Sequence, residues 1–259
     1  MKKWVLALGI TLVAVGAQAQ EAPGAPELTQ CAADAQKANW DGVIANCKKA
    51  LSLMTDKTHP GPDFYLGIAY AQKKDYANTV KYYKAFLEKA KGNSDVGDKQ
   101  RVDATRTIGM SLALMKKYSD AIPYLKNAVL DDGKNAAIHY QLATAYLRTE
   151  DEKNAQKHFT RVTQLTPTSA ASFYQVGRLA YIGQDMEVAQ QFLGQFVALS
   201  KGGATLTQAH YLLGDMATKA GDNATAAEHF EKYMAGNPAA NAQTEAVRAF
   251  LAQLKAAGG

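Results

Sequence analysis

The sequence predicts an all-α protein built from consecutive pairs of helices, and two observations support this class. Ala fills 47 of the 259 positions while Pro fills only 7, a composition that favours helices whose backbones approach closely. Small residues also recur at a fixed spacing, since Gly109, Ala143 and Gly177 follow one another at intervals of 34 positions. A period of this length is typical of solenoids, in which each repeat is one supersecondary unit.

Residues 1–19 are predicted to be a secretory signal peptide. Lys2 and Lys3 precede an apolar segment from Trp4 to Val15, and residues 17–19 read Ala-Gln-Ala, the form of a cleavage site. The apolar segment is short and wrongly flanked for a spanning helix, although an N-terminal anchor helix is the alternative. We therefore expect cleavage after Ala19, no membrane anchor afterwards, and a periplasmic location in a prokaryotic source.

The charge left after this cleavage excludes one class of partner. Loss of Lys2 and Lys3 lowers the net charge from +5 to +3, which is too small to indicate nucleic acid binding. Residues 20–27 are rich in Pro, Gly and Ala and are expected to form a flexible leader.

Each repeat begins with an apolar residue followed by a tiny one, and a second apolar block follows at a constant offset. The first block recurs as Leu66-Gly67, Ile108-Gly109, Leu142-Ala143, Val176-Gly177 and Leu213-Gly214. In most repeats the second block carries a small residue, as at Ala121, Ala155, Ala189 and Ala226. Apolar residues at i, i+3, i+4 and i+7 make each half an amphipathic helix. The small residues allow the two helices of a pair to touch.

This pattern resembles the tetratricopeptide repeat, whose motif places Leu, Gly or Ala, and Tyr on the first helix, then Ala, Phe and Ala on the second, followed by Pro. The repeat that starts at residue 136 matches this motif with Leu142, Ala143, Tyr146, Ala155, Phe159 and Pro167. The resemblance covers nearly all of the chain after the signal peptide. It implies a right-handed α-solenoid of about six helix-turn-helix units. The repeat that starts at residue 60 departs from the motif, because Thr79 stands where Ala belongs.

The resemblance also implies a domain organisation. The solenoid is expected over residues 28–238, with units that start near residues 24, 60, 102, 136, 170 and 207. Residues 239–259 are expected to form a capping helix and tail, because Val247, Phe250, Leu251 and Leu254 share one helical face. Polar, Gly-containing insertions at residues 90–101 and 200–205 break the period and are expected to be surface loops.

The two cysteines, Cys31 and Cys47, fall on the paired helices of the first unit. The family pattern places these positions on facing sides, so a disulfide is favoured in an oxidising compartment. A closed loop of about 16 residues would contribute roughly 3 kcal/mol through chain entropy. Two buried free thiols are the alternative.

The sequence offers no catalytic constellation. His139 and His158 are 19 positions apart, as are His210 and His229, at equivalent positions of two repeats. This equal spacing favours shared packing over metal binding, because no carboxylate or Cys lies at ligand spacing. Nucleotide-binding and hydrolase motifs are absent from the sequence. We therefore predict a protein that is not an enzyme and that has no metal or cofactor.

The resemblance implies a concave groove lined by the first helices, which in this family binds peptides or proteins. The inward positions carry aromatic residues and scattered Arg. The candidate partner-binding residues are Phe64, Arg106, Tyr140, Arg148, Tyr174, Arg178, Tyr181 and Tyr211. Tyr offers a large contact area at low entropic cost, and Arg can pair with carboxylates. The alternative is that each aromatic side chain only packs against a neighbouring helix.

These observations favour a non-enzymatic scaffold of the bacterial cell envelope that binds a partner peptide or protein in the groove. The alternative is a binder of a small ligand or a cell-wall glycan fragment, since aromatic faces suit sugars as well. The chaperone-binding carboxylate clamp of the family needs Lys and Asn at the inward positions. Tyr and Phe stand there instead, so that ligand is not expected.

Overall fold

The computed structural model describes residues 22–236 and 239–257. These residues form thirteen α-helices and no strand, which confirms the predicted all-α class. The predicted signal peptide and Pro238 lie outside the described residues. No helix in the described part of the chain has the length and apolar character needed to cross a membrane. The chain divides into two compact units, which meet in sequence at Gly133 and Lys134.

Unit 1 consists of three helix pairs. Its helices are α1 (Ala25–Gln36), α2 (Trp40–Leu53), α3 (Gly61–Gln72), α4 (Tyr76–Lys89), α5 (Asp98–Leu114) and α6 (Tyr118–Asp131). Within each pair the two helices pack against each other, and α2 also packs against α3 and α4 against α5. The first helices contact one another too, α1 with α3 and α3 with α5. This is the neighbour-to-neighbour packing expected of stacked repeats.

Unit 2 consists of three further pairs and one additional helix. Its helices are α7 (Ala136–Arg148), α8 (Glu152–Leu165), α9 (Ala170–Ile182), α10 (Met186–Leu199), α11 (Ala204–Lys219), α12 (Asn223–Ala235) and α13 (Ala242–Ala257). The last helix packs on α12: Val247 is buried, the ring of Phe250 lies 5.4 Å from that of Phe230, and the hydroxyls of Tyr233 and Thr244 are 3.1 Å apart. It therefore packs on the second helix of the last pair.

The turn within each pair has one repeated geometry. The residue before each second helix's N-cap has a positive φ, and it is a glycine only in the last pair, at Gly221. Five of the six second helices then begin with a side-chain cap, in which the carboxylate or amide oxygen accepts a hydrogen bond from the N–H three residues on. The capping residues are Asn39, Asp75, Asp151, Asp185 and Asp222. The exception is α6, whose N-cap residue is Lys117 and which has no side-chain cap.

Small residues stand where paired helices touch, as the sequence indicated. A Cβ atom added to Gly177 would lie 2.7 Å from Cγ and 2.9 Å from the backbone N of Leu193. Ala189, on the partner helix of that pair, is fully buried. Thr79, which departs from the motif, is also fully buried, and its hydroxyl donates to the carbonyl oxygen of Asp75 at 2.8 Å. The hydroxyl is thereby satisfied, so Thr replaces Ala there without an unpaired buried group.

Candidate functional site

The structure distributes the eight candidate residues over both units. Phe64 on α3 and Arg106 on α5 belong to unit 1, and the other six belong to unit 2. Arg106 is paired with the carboxylate of Asp103 at 2.5 Å. Its charge is therefore already balanced within unit 1.

Three of the predicted tyrosines come together in unit 2. Tyr174 and Tyr181 on α9 and Tyr211 on α11 are half-buried and pack against the same apolar core. We call these three residues the tyrosine cluster. The ring of Tyr174 lies 5.2 Å from that of Phe196, and the ring of Tyr211 lies 6.0 Å from that of Phe230. Tyr174 and Tyr211 are thus each supported by an aromatic ring of a second helix, and part of each phenol remains accessible.

A polar network joins α9 to α11 beside this cluster. The hydroxyl of Tyr181 donates to the carboxylate of Asp215 at 2.5 Å, and the ammonium group of Lys219 contacts both, at 3.2 Å and 2.7 Å. Burial, followed by the hydrogen bond to Asp215, raises the pKa of Tyr181. Burial also raises the pKa of Tyr211, with a contribution from the charge of Asp215. Both phenols therefore stay protonated as hydrogen-bond donors.

The network contains two residues that were not among the candidates, Asp215 and Lys219. Both occupy inward positions of α11 according to the repeat pattern. The sequence signal that could have indicated this network was the opposite charge of these two residues, together with a tyrosine one repeat earlier. The sequence could not show that the three groups close into one network.

Two arginines of unit 2 differ from Arg106 in having no acidic partner. Arg178 on α9 lies within 3.4 Å of the side-chain oxygen of Gln175, a long contact to a neutral group. Arg148, the last residue of α7, is exposed. Neither guanidinium group forms an ion pair with any residue that the structure describes. Both are available for a carboxylate brought by a ligand.

Tyr140 on α7 is the most open of the predicted tyrosines. Its side chain is 36% exposed, and its ring meets that of Phe159 edge-on at 5.6 Å. It is not among the aromatic side chains that pack on the core of the tyrosine cluster. The structure therefore gathers Tyr174, Tyr181 and Tyr211 and leaves Tyr140 on a separate helix of the same unit.

The histidines form two equivalent pairs in unit 2. The Nδ1 atoms of His139 and His158 are 2.9 Å apart, and those of His210 and His229 are 3.0 Å apart. At this distance one ring donates and the other accepts, so two protonated rings are incompatible with the contact. Burial, reinforced by the neighbouring ring of His139, lowers the pKa of His158 to about 4. The described residues contain no group of three or more potential metal ligands.

The two cysteines of unit 1 are joined in the structure. Cys31 and Cys47 form a disulfide between α1 and α2, with their Cα atoms 5.3 Å apart, and both are fully buried. The bond therefore links the first helix pair internally.

Sequence reasoning missed a cavity in unit 1. It has a volume of about 200 Å³ and lies between the segment before α3, the helices α3 and α4, and the insertion before α5. Phe64 is the one candidate residue in its wall. Since a single water needs roughly 10–15 Å³ by the same measure, the space can hold a much larger group.

Comparisons with known proteins agree with this architecture. Residues 112–176 match the family model described as tetratricopeptide repeat. No curated protein matches the sequence.

Three solved structures illustrate the similarity of fold. YrrB, described as a tetratricopeptide repeat protein with an unusual peptide-binding site, is 19% identical, with a TM-score of 0.58 over 71% of this chain and 90% of its own. MamA from Desulfovibrio magneticus RS-1 is 19% identical, with a TM-score of 0.52 over 68% of this chain and 94% of its own. The C-terminal part of a repeat protein from Cytophaga hutchinsonii is 17% identical, with a TM-score of 0.58 over 86% of each chain.

Proposed function

We propose that this chain, which is a tetratricopeptide repeat protein, is a non-enzymatic scaffold that binds an extended or helical partner segment on the first helices of unit 2. The observation that carries the proposal is the combination of the tyrosine cluster with two arginines that have no acidic partner. Aromatic and arginine side chains are the types that dominate binding energy at protein interfaces. The partner segment should accordingly carry apolar anchors and acidic groups.

The tyrosine cluster is suited to this role because it is fixed before binding. Rings beneath Tyr174 and Tyr211 and the hydrogen bond between Tyr181 and Asp215 hold the phenols in place. A preorganised surface loses little conformational entropy when it binds. One similar structure, YrrB, is described as having a peptide-binding site. This description supports a peptide rather than a glycan as the ligand.

We further propose that the protein acts outside the cytoplasm, in the periplasm of a bacterial envelope. The predicted signal peptide supports this location, and so does the pairing of Cys31 with Cys47, because disulfides persist in oxidising compartments.

The test uses a photoreactive phenylalanine placed at Tyr140 or Tyr211 in cells that make the protein. We expect a protein adduct from these positions and none from Lys153, which is exposed on α8. Mass spectrometry of the adduct would identify the partner.

Charge variants then test the chemistry of the surface. The double variant Arg148→Gln/Arg178→Gln should lose the adduct, because both guanidinium groups are removed while the tyrosine cluster stays intact. Lys153→Gln/Lys201→Gln changes the same net charge at exposed positions of the same unit and should retain it. If the two double variants behave alike, the arginines do not contribute to binding. If no protein adduct forms and cell-wall fragments raise the melting temperature, the glycan alternative holds.

A further inference from the structure

The cavity of unit 1 is enclosed by an insertion that is held in place. The guanidinium group of Arg101 donates to the carbonyl oxygens of Ala90 at 2.9 Å, Asn93 at 2.6 Å and Val96 at 2.5 Å. Val96 is buried, at 6% exposure. The insertion therefore forms a defined wall, although its composition resembles that of a mobile surface loop.

The interior of the cavity is apolar and aromatic. Phe64, Tyr65 and Phe86 line it on the side of α3 and α4, and Val96 and Pro60 line it elsewhere. The rings of Phe64 and Phe86 are 4.9 Å apart, so they form one continuous aromatic surface. Such a surface can accept an aliphatic chain, and it also attracts a cation placed over the rings.

The polar groups of the cavity determine which charge it would accept. Asp56 and Asp95 both line it, and both carboxylates act on His59, since each raises the pKa of that ring. Asp56 accepts hydrogen bonds from Thr58 through one oxygen only, and the carboxylate of Asp95 accepts none from the described residues. At least three carboxylate oxygens are therefore available to a donor.

Among the residues that the structure describes, no positive charge inside the cavity balances these carboxylates. None of its lining residues is Lys or Arg. The nearby Lys89 is bound to the buried carboxylate of Asp63 at 2.6 Å. Burial is the largest influence on His59 and lowers its pKa, so the ring is neutral at pH 7.

We infer that this cavity binds a basic side chain, Lys or Arg, of the partner. The aliphatic stem would lie against the aromatic rings while the charged head meets Asp56 and Asp95 at the rim. Lys and Arg combine an apolar stem with a charged end, which is the combination that this cavity matches. The inference rests on the proposed function, because it takes the ligand of the cavity to be part of the partner.

The test uses N-acetyl-lysine methylamide as the probe and N-acetyl-norleucine methylamide as its neutral counterpart. Amide NMR shifts of the full chain would be followed during titration. We expect saturable shifts at Gly61 and Val96 with the lysine probe. Binding of the norleucine probe should be weaker by about two- to fivefold, the factor that an exposed ion pair contributes.

Two variants of matched chemistry separate the cavity from general charge effects. Asp95→Asn should weaken binding of the lysine probe by about the same two- to fivefold. Asp120→Asn removes the same charge from an exposed side chain of the same unit that does not line the cavity, and should leave binding unchanged. Equal binding of the two probes, equal effects of the two variants, or no shift at Gly61 and Val96 would each overturn the inference.

This titration is independent of the capture experiment on unit 2. Failure of the lysine probe with intact adduct formation would refute the basic-side-chain site alone. Failure of adduct formation with intact probe binding would refute the proposed partner surface and leave a cation-binding cavity.

Discussion

Replacing Lys117 with Asn should stabilise unit 1, because α6 lacks the side-chain cap that the other second helices have. The backbone at Lys117 already has the required conformation, with φ −86° and ψ 65°, against φ −83° and ψ 80° at the capping Asp75. An Asn side chain could therefore accept a hydrogen bond from the N–H of Asp120 without rearrangement, as Asn39 does from that of Gly42 at 3.2 Å. Asn is preferred to Asp here because a new carboxylate would face Asp120.

The expected gain is about 1 kcal/mol. A capping Asn contributes roughly 0.5–2 kcal/mol relative to a residue that cannot cap. Removing a positive charge from the helix N-terminus adds a smaller favourable amount, because the helix dipole is positive there. With an m-value of about 1–3 kcal/mol per molar urea, the unfolding midpoint should rise by roughly 0.3–1 M.

Urea unfolding followed by the fluorescence of Trp40, which lies in α2 of unit 1, would measure this change. Two controls accompany it. Asp75→Ala removes an existing cap in the same unit and should lower the midpoint by a similar amount. Lys126→Asn removes the same charge from an exposed position in the middle of α6. It should lower the free energy of unfolding by about 0.4 kcal/mol, because Asn is a weaker helix former than Lys.

Two outcomes would refute this reasoning. If Asp75→Ala lowers the midpoint and Lys117→Asn does not raise it, a side-chain cap at position 117 does not stabilise α6. If Lys126→Asn stabilises as much as Lys117→Asn, the gain comes from removing charge and not from the cap.

Two further predictions concern unit 2. Gly177→Ala should lower the free energy of unfolding by about 1–2 kcal/mol, because the new Cβ meets backbone as well as side-chain atoms of Leu193. Gly194→Ala is in an exposed position with nothing within 4 Å of the added Cβ and should instead raise the free energy of unfolding by about 1 kcal/mol. If urea unfolding shows changes of the same sign for both variants, the close-packing argument is contradicted. The histidine pairs predict that unit 2 loses stability as the pH falls from 6.5 towards 4, because the pKa of His158 is lower in the folded protein, about 4, than in the unfolded chain. His158→Gln can still hydrogen-bond to His139 but cannot titrate, so its stability should depend less on pH, and an undiminished dependence would count against the pair.

The periodic part of the fold could be predicted from the sequence because it is encoded locally. A helix pair needs small residues where the helices touch, as at Gly177 and Ala189, and amphipathic spacing on either side. Each requirement is visible within about 34 positions. The turn geometry was not predicted, because five of the six left-handed positions carry residues other than Gly, and Lys74 or Glu150 does not signal such a conformation.

The candidate site was predicted as residue positions but not as an arrangement. The repeat pattern places Tyr174, Tyr181 and Tyr211 at inward positions of the first helices, yet it treats all repeats as equivalent. It could not show that Arg106 is paired with the carboxylate of Asp103 while Arg178 contacts the side-chain amide of Gln175. Such differences depend on side chains three residues earlier or in the next repeat, which the motif leaves free.

The cavity of unit 1 was missed for a related reason. Residues 90–101 were predicted to be a polar surface loop because of their composition, and most of them are indeed exposed. Their wall-forming role depends on Arg101, whose hydrogen bonds reach back up to 11 positions to three carbonyl oxygens. The repeat pattern of the sequence cannot indicate hydrogen bonds from one side chain to an irregular backbone segment.

The two units differ in the ligand charge that they favour. Among the described residues, the guanidinium groups of Arg148 and Arg178 in unit 2 form no ion pair with a carboxylate, and the carboxylates of Asp56 and Asp95 in unit 1 form none with a cation. The packing positions of a repeat restrict side-chain size, while positions at its accessible face are free to vary in charge. The same helix-pair motif can therefore present opposite chemistry in different units, and ligand preference must be tested unit by unit because the repeat pattern does not determine it.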